Sequence, residues 1–170
     1  MHIYAYASMC ILRRSAELRC GRFSARRLHE TSKTSAEALE TSMTATGLER
    51  WYGYMKSHDR AALWDLLHPD AVFESPVVHT PQRGRDITFK YLTSAEKVLA
   101  GPGFTYVGEW RGDRGAVLEF ENEIDGIKIN GVDIITFDAD GRITHFKVMV
   151  RPLKAINLLH RLMGEQLAKP

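Results

Sequence analysis

The chain has 170 residues, 44% of them hydrophobic and 26% charged, with a formal net charge of +2, the make-up of one globular domain with a tail. Residues 1–42 hold seven Lys/Arg against four Asp/Glu, while residues 43–170 hold sixteen against seventeen. The basic excess therefore belongs to the leader, and the rest lacks the basic stripe that a nucleic-acid partner requires.

Both cysteines, Cys10 and Cys20, lie in that leader, so residues 43–170 exclude a disulfide framework, a cysteine nucleophile and a thiolate metal site. The seven histidines include no HExxH and no tight pair; no metal and no cofactor are expected. No apolar run approaches the roughly 20 residues needed to span a bilayer, so no membrane partner is expected either.

Residues 1–42 combine Arg13, Arg14, Arg19, Arg22, Arg26 and Arg27 with several serines and few acids, the composition of a mitochondrial transit peptide. The competing reading starts translation at Met43, where MTATGLERW makes a natural opening to a helix and leaves the protein cytoplasmic. Either way the leader is expected to be poorly ordered, and the domain is residues 43–170.

From Gly47 the pattern is helical: Leu48, Trp51 and Tyr54/Met55 follow three-to-four spacing. After a polar break at Ser57–Asp59, Ala62, Leu63, Leu66 and Leu67 continue it, and Pro69 is expected to end this second helix. Ala71–Ser75 reads as a strand, followed by a polar loop through Pro76 and His79. GRDITFKYLTSAEKVLAG reads as a third helix, with Ile87, Tyr91, Ala95 and Val98 on one face and Gly101-Pro102-Gly103 stopping it. Four strand-like runs follow, FTYVGEW, GAVLEFENEI, IKINGVDIITFD and GRITHFKVMV, separated by short turns that suit antiparallel hairpins. After Pro152, LKAINLLHRLMGEQLAK makes a closing amphipathic helix with Leu153, Ile156, Leu158/Leu159 and Leu162 as its docking face. Helices gathered first and strands last predict an α+β domain. A curved antiparallel sheet wrapped around the helices would form a cone with an internal pocket.

Within IKINGVDIITF, period-two alternation puts Asp133 on a face with Ile127, Ile129, Gly131, Ile135 and Phe137. An acid on an apolar face either lines a cavity or sits in a satisfied core network with an indole or hydroxyl. Burial would raise its pKa and favour the neutral acid, which can donate a hydrogen bond to a ligand carbonyl. Phe146, Val148 and Val150 should face the same cavity, with His145, Lys147 and Met149 on the outer face. Phe73 and Ser75 should point alike, with Glu74 opposite. Glu119, Glu121 and Glu123 form the polar side of a half-buried strand, with Lys147, His145 and Lys128 as expected cross-strand partners.

The words HPDAVFESP, RGRDITFKYL and VDIITFDADGRITHF, in this order and spacing, resemble the SnoaL-like branch of the nuclear transport factor 2 superfamily. The resemblance covers roughly residues 47–162 and implies the cystatin-like cone. Steroid isomerases of this superfamily use a carboxylate base with a Tyr and a protonated Asp as oxyanion hole, a case treated in general enzymology. Matched by motif, the base position is Ser75 in Glu74-Ser75-Pro76, the phenol position is Trp51, and the oxyanion Asp is Asp133. Ser75 cannot take a carbon-bound proton unless another group activates it, so isomerisation by the family's own base is not expected.

The candidate catalytic residues are thus Asp133 and His79, the latter a loop histidine able to act as a base near neutrality or simply solvated. Candidate ligand-binding residues are Trp51, Phe73, Ser75, Tyr91, Phe146 and Val148. Two functions of different kinds stand: an isomerase- or cyclase-like enzyme for a small, mostly apolar molecule, or a non-catalytic binder or dimeric scaffold. A limonene-type epoxide hydrolase, which needs two carboxylates and an arginine around a water, comes third. Many relatives dimerise through the outer sheet face, so the expected partners are a small hydrophobic molecule and a second copy of the chain.

Overall fold

The structure, a computed structural model, describes residues 44–169; the arginine-rich leader with Cys10 and Cys20, and Met43, lie outside the described residues. Helix α1 is described over residues 44–57, and the polar break follows it. His58 closes α1 with a positive φ of 54°, its amide donating to the Tyr54 carbonyl at 2.7 Å. Asp59 then caps α2 (Arg60–Leu66) by accepting from the Ala61 amide.

The second helix ends earlier than its apolar spacing predicts. Leu67 already belongs to strand β1 (Leu67–Glu74), with Pro69 inside the strand. Proline disfavours helical backbone at the residue before it, so its influence reaches His68 rather than stopping at Pro69. The register against the neighbouring strand shifts between Leu67 and Val72, which accommodates a residue with no amide donor. The loop beyond β1 contributes a further short strand that the sequence does not announce, β2 (Gln82–Arg83), paired antiparallel to β1.

Helix α3 (Arg85–Leu99) buries Thr88, Leu92, Thr93 and Ser94, a stripe rotated from the expected Ile87, Tyr91, Ala95 and Val98. Backbone acceptors make this possible. The Thr88 hydroxyl donates to the Ala71 carbonyl at 3.2 Å and that of Thr93 to the Phe89 carbonyl at 2.8 Å, so both threonines are buried with their hydroxyls satisfied.

Strands β3 (Thr105–Gly112), β4 (Gly115–Ile124), β5 (Ile127–Phe137) and β6 (Ile143–Arg151) form the meander. The β4–β5 turn is Asp125-Gly126, both at positive φ (53° and 74°), as a two-residue hairpin of this twist requires. Helix α4 (Leu153–Leu167) closes the chain on Ala155, Leu158 and Leu159. Leu153, placed on the docking face by spacing, is instead exposed.

The six strands form one curved sheet in the order β2-β1-β6-β5-β4-β3. It is antiparallel except between its second and third strands, where β1 and β6 run parallel. Four helices pack against it, and the layers share a core of Leu48, Trp51, Leu66, Phe73, Leu118 and Phe146, among others. Gly47 brings α1 hard against β5: a Cβ there would lie 2.3 Å from the Phe137 ring. Among the described residues no helix is long and apolar enough to cross a membrane.

On the outer sheet face, Lys128 stands opposite Glu123 as expected. Lys147 and His145 do not serve the Glu119–Glu123 row. They sit at 2.9 Å and 2.8 Å from the carboxylate of Glu74, because parallel pairing sets β1 beside β6. Lys147 foremost holds the Glu74 carboxyl below its ordinary pKa. Glu119 instead accepts from the Asn130 side-chain amide at 2.8 Å.

Candidate functional site

Between the sheet's inner face, α1, α3 and α4 lies a cavity of about 490 Å3. Trp51, Phe73, Ser75, Phe146, Val148 and Asp133 all line it. The other two candidates do not. Tyr91 is half-buried and stacks behind Phe73, ring centroids 5.1 Å apart, so it supports the wall rather than forming it. His79 is exposed in the loop after β1 and stands apart from the cavity. Pro76 turns the chain so that the loop's cavity contacts end at Val77.

Asp133 is 6% exposed. Its Oδ2 accepts from the Tyr106 hydroxyl at 2.7 Å, and that hydroxyl accepts from the Trp51 indole N–H at 3.1 Å. The chain Trp51–Tyr106–Asp133 thus unites both sequence readings: the acid lines a cavity, and it belongs to a hydrogen-bonded network. Oδ1 takes no hydrogen bond from the described residues. Burial pushes the carboxyl from its ordinary 3.8 up to about 7, against the opposing pull of the Tyr106 hydroxyl. Burial, with the acid beside it, also raises the Tyr106 phenol well above its usual range. In the neutral form Oδ1, the oxygen without a hydrogen bond from the described residues, can carry the proton, on a residue that lines the cavity.

Sequence reasoning missed Tyr106. It stands in register with Phe120 on β4, which pairs with Gly131 on β5; Gly131 leaves room for the Phe120 ring, to which a Cβ would come within 2.4 Å. A β-bulge at Val107 shifts the β3 register just beyond, turning Trp110 to the outer face opposite Val117. Simple alternation would have put Tyr106 and Trp110 on one face.

A second polar group on the wall was also missed. The Tyr54 hydroxyl donates to Glu96 Oε2 at 2.6 Å, and His58 Nδ1 lies 2.9 Å from Glu96 Oε1. Trp51, Tyr54, Met55 and His58 recur at the three-to-four spacing of one helix face, so α1 carries the links to both polar groups. The Ser75 hydroxyl accepts from the amides of Val77 and Val78 at 3.1 Å and 3.3 Å. It shapes the turn at Pro76.

A family model for the SnoaL-like domain matches residues 48–146. Among solved structures the chain is similar to a steroid delta-isomerase from Pseudomonas aeruginosa, 38% identical, with 74% of this chain and 92% of that one covered and a TM-score of 0.70. It is similar also to a protein with a cystatin-like fold from Silicibacter pomeroyi, 26% identical over 71% of this chain and 84% of that one, TM-score 0.65. A nuclear transport factor 2-like protein from Mesorhizobium loti, 23% identical over 66% and 93%, TM-score 0.56, shares the fold. No curated protein matches the chain. With more than half its length matched by the family model and a cone of the same build, the chain belongs to the SnoaL-like family of the nuclear transport factor 2-like superfamily.

Proposed function

We propose that the cavity binds a small, mostly apolar molecule bearing a carbonyl, and that the protein is an isomerase- or cyclase-type enzyme in which neutral Asp133 donates to that oxygen. The observation that carries this reading is the buried carboxyl with one oxygen tied to Tyr106 and the other free. A donor fixed in a water-poor cavity stabilises negative charge growing on a carbonyl oxygen far better than water does. The similarity to a steroid delta-isomerase at 38% identity supports this reaction class. Affinity for a ketone should be full below about pH 7 and fall as the pH rises through it, because the donating proton is then lost.

Native mass spectrometry of the purified protein with co-purifying metabolites retained tests the ligand class; a cavity that returns only polar or charged species refutes it. A pure binder is the second reading, favoured by a Ser75 hydroxyl occupied in a turn, and it is separated by turnover of a bound ketone. The epoxide-hydrolase reading loses support because no arginine lines the cavity among the described residues.

We also propose that a second copy of the chain covers the outer sheet face. Trp110, Val117 and Ile134 stand in register across β3, β4 and β5, with Met149 in the adjoining row beside Val132. Trp110 is 58% and Met149 55% exposed, a large apolar patch for a monomer to leave in water. In this reading the protein works in the cytoplasm. A leader cleaved on import would place it in mitochondria instead, and N-terminal sequencing of the mature chain separates the two.

A further inference from the structure

We propose that His58, held by Glu96, is a second recognition point of the cavity, a hydrogen-bond acceptor at its open end that selects ligands carrying a hydroxyl group. This deepens the small-molecule reading above and rests on it.

Besides the Ser75 turn, two polar groups interrupt the apolar wall. One is the Trp51–Tyr106–Asp133 chain. The other joins Tyr54 on α1, His58 just past its end and Glu96 on α3, and all three residues line the cavity. Glu96 has both oxygens engaged, Oε2 by the Tyr54 hydroxyl at 2.6 Å and Oε1 by His58 Nδ1 at 2.9 Å. To meet a carboxylate, Nδ1 must carry the hydrogen, so in the neutral imidazole the free lone pair stands on Nε2. Nε2 takes no hydrogen bond from the described residues.

A link between helices does not need the histidine. Tyr54 is buried, and its bond to Glu96 by itself ties α1 to α3. His58 adds a ring whose side chain is 47% exposed, against 20% for that of Glu96. It does so from left-handed backbone, a conformation disfavoured for most side chains. The carboxylate sets which ring nitrogen is left to accept. The cavity thus has a buried end where neutral Asp133 can donate and a half-exposed end where His58 can accept.

A ligand hydroxyl supplies the donor that Nε2 lacks. An ether of similar size cannot, and it displaces the water that would otherwise serve the nitrogen. Because the side chain is half exposed, water competes for it, so the selectivity is that of one ordinary hydrogen bond, about 3- to 10-fold in affinity. No proton is transferred: Nε2 accepts a hydrogen bond, and Glu96 acts as the positioning residue that orients the ring.

The test uses the full chain at about pH 8, above the ordinary imidazole range, with 2-naphthol and 2-methoxynaphthalene, flat ring systems of similar size that differ in the donor proton. Isothermal titration calorimetry gives both affinities, and imidazole 15N shifts report the contact itself. Wild type should favour 2-naphthol about 3- to 10-fold. Its His58 Nε2 resonance should move with 2-naphthol and stay with 2-methoxynaphthalene. His58→Gly, which suits the left-handed backbone, should lose the preference and bind the two probes alike. Equal affinities in wild type, a preference that survives in His58→Gly, or an Nε2 resonance unmoved by 2-naphthol each overturns the assignment while leaving the apolar cavity in place. Failure of both probes to bind wild type removes the small-molecule reading, and this proposal with it.

Discussion

Replacing Asp133 by Asn isolates what the buried carboxyl does to the fold. The native state holds its proton up to about pH 7, whereas the unfolded chain releases it near the ordinary 3.8. Because the folded pKa is raised, the group's stabilising contribution is complete below about pH 4 and is lost as the pH rises through about 7. Each pH unit of separation is worth about 1.4 kcal/mol, so the whole loss is about 4 kcal/mol, of which about 3 kcal/mol falls between pH 5 and pH 9. Asparagine has no proton to lose and still offers an acceptor to Tyr106. Urea unfolding of both proteins at pH 5 and pH 9 reads the difference directly, and groups such as Glu74, Glu109 and Asp138, all with lowered pKa, cancel between them. The stability of Asp133→Asn relative to wild type should rise by about 3 kcal/mol over that range, or about 1.5 M in midpoint at a slope of about 2 kcal/mol per M. A midpoint difference that stays constant from pH 5 to pH 9 refutes the claim that burial keeps this acid neutral.

Tyr106→Phe removes the donor to Asp133 and strands the Trp51 indole, so it should cost about 1–3 kcal/mol in denaturation. It should also raise the Asp133 pKa further, which carboxyl NMR titration would show. Gly131→Ala would set a Cβ 2.4 Å from the Phe120 ring and 2.7 Å from the Met149 carbonyl oxygen; a loss of about 1–3 kcal/mol is expected, since the backbone oxygen cannot swing aside. Ile134→Lys should abolish self-association in analytical ultracentrifugation while leaving the melting temperature of the monomer near wild type, and an unchanged mass refutes the outer-face dimer.

What could be read from the sequence follows the range of the interactions. Alternation within β5 placed Asp133 inward because a strand's faces are set by the strand itself, and Phe146 and Val148 were legible in β6 for the same reason. The hairpin at Asp125-Gly126 carries its own turn chemistry. Tyr106 was hidden because its partner is 27 residues away and reached across β4, in a register shifted by a bulge that no local pattern marks. Glu96 was hidden differently: on α3 it reads as an ordinary solvated acid, and only the end of α1 makes it a partner for Tyr54 and His58. His79 was singled out for its place after the strand, but Pro76 turns its loop outward. The Glu74–Lys147 pair needed knowledge that β1 lies parallel to β6, which sequence order conceals.

That parallel seam has a consequence for how the chain is made. Leu67 meets Ile143 across it, so on a ribosome the first strand emerges long before the strand it must lie against. Until β6 has been synthesised, β1 has only the two-residue β2 beside it, and its other edge is open. Long-range pairing of this kind slows folding and leaves nascent edges open to wrong partners. Loss of the last strand, through early termination or proteolysis, would cut the sheet through its middle rather than trim its margin.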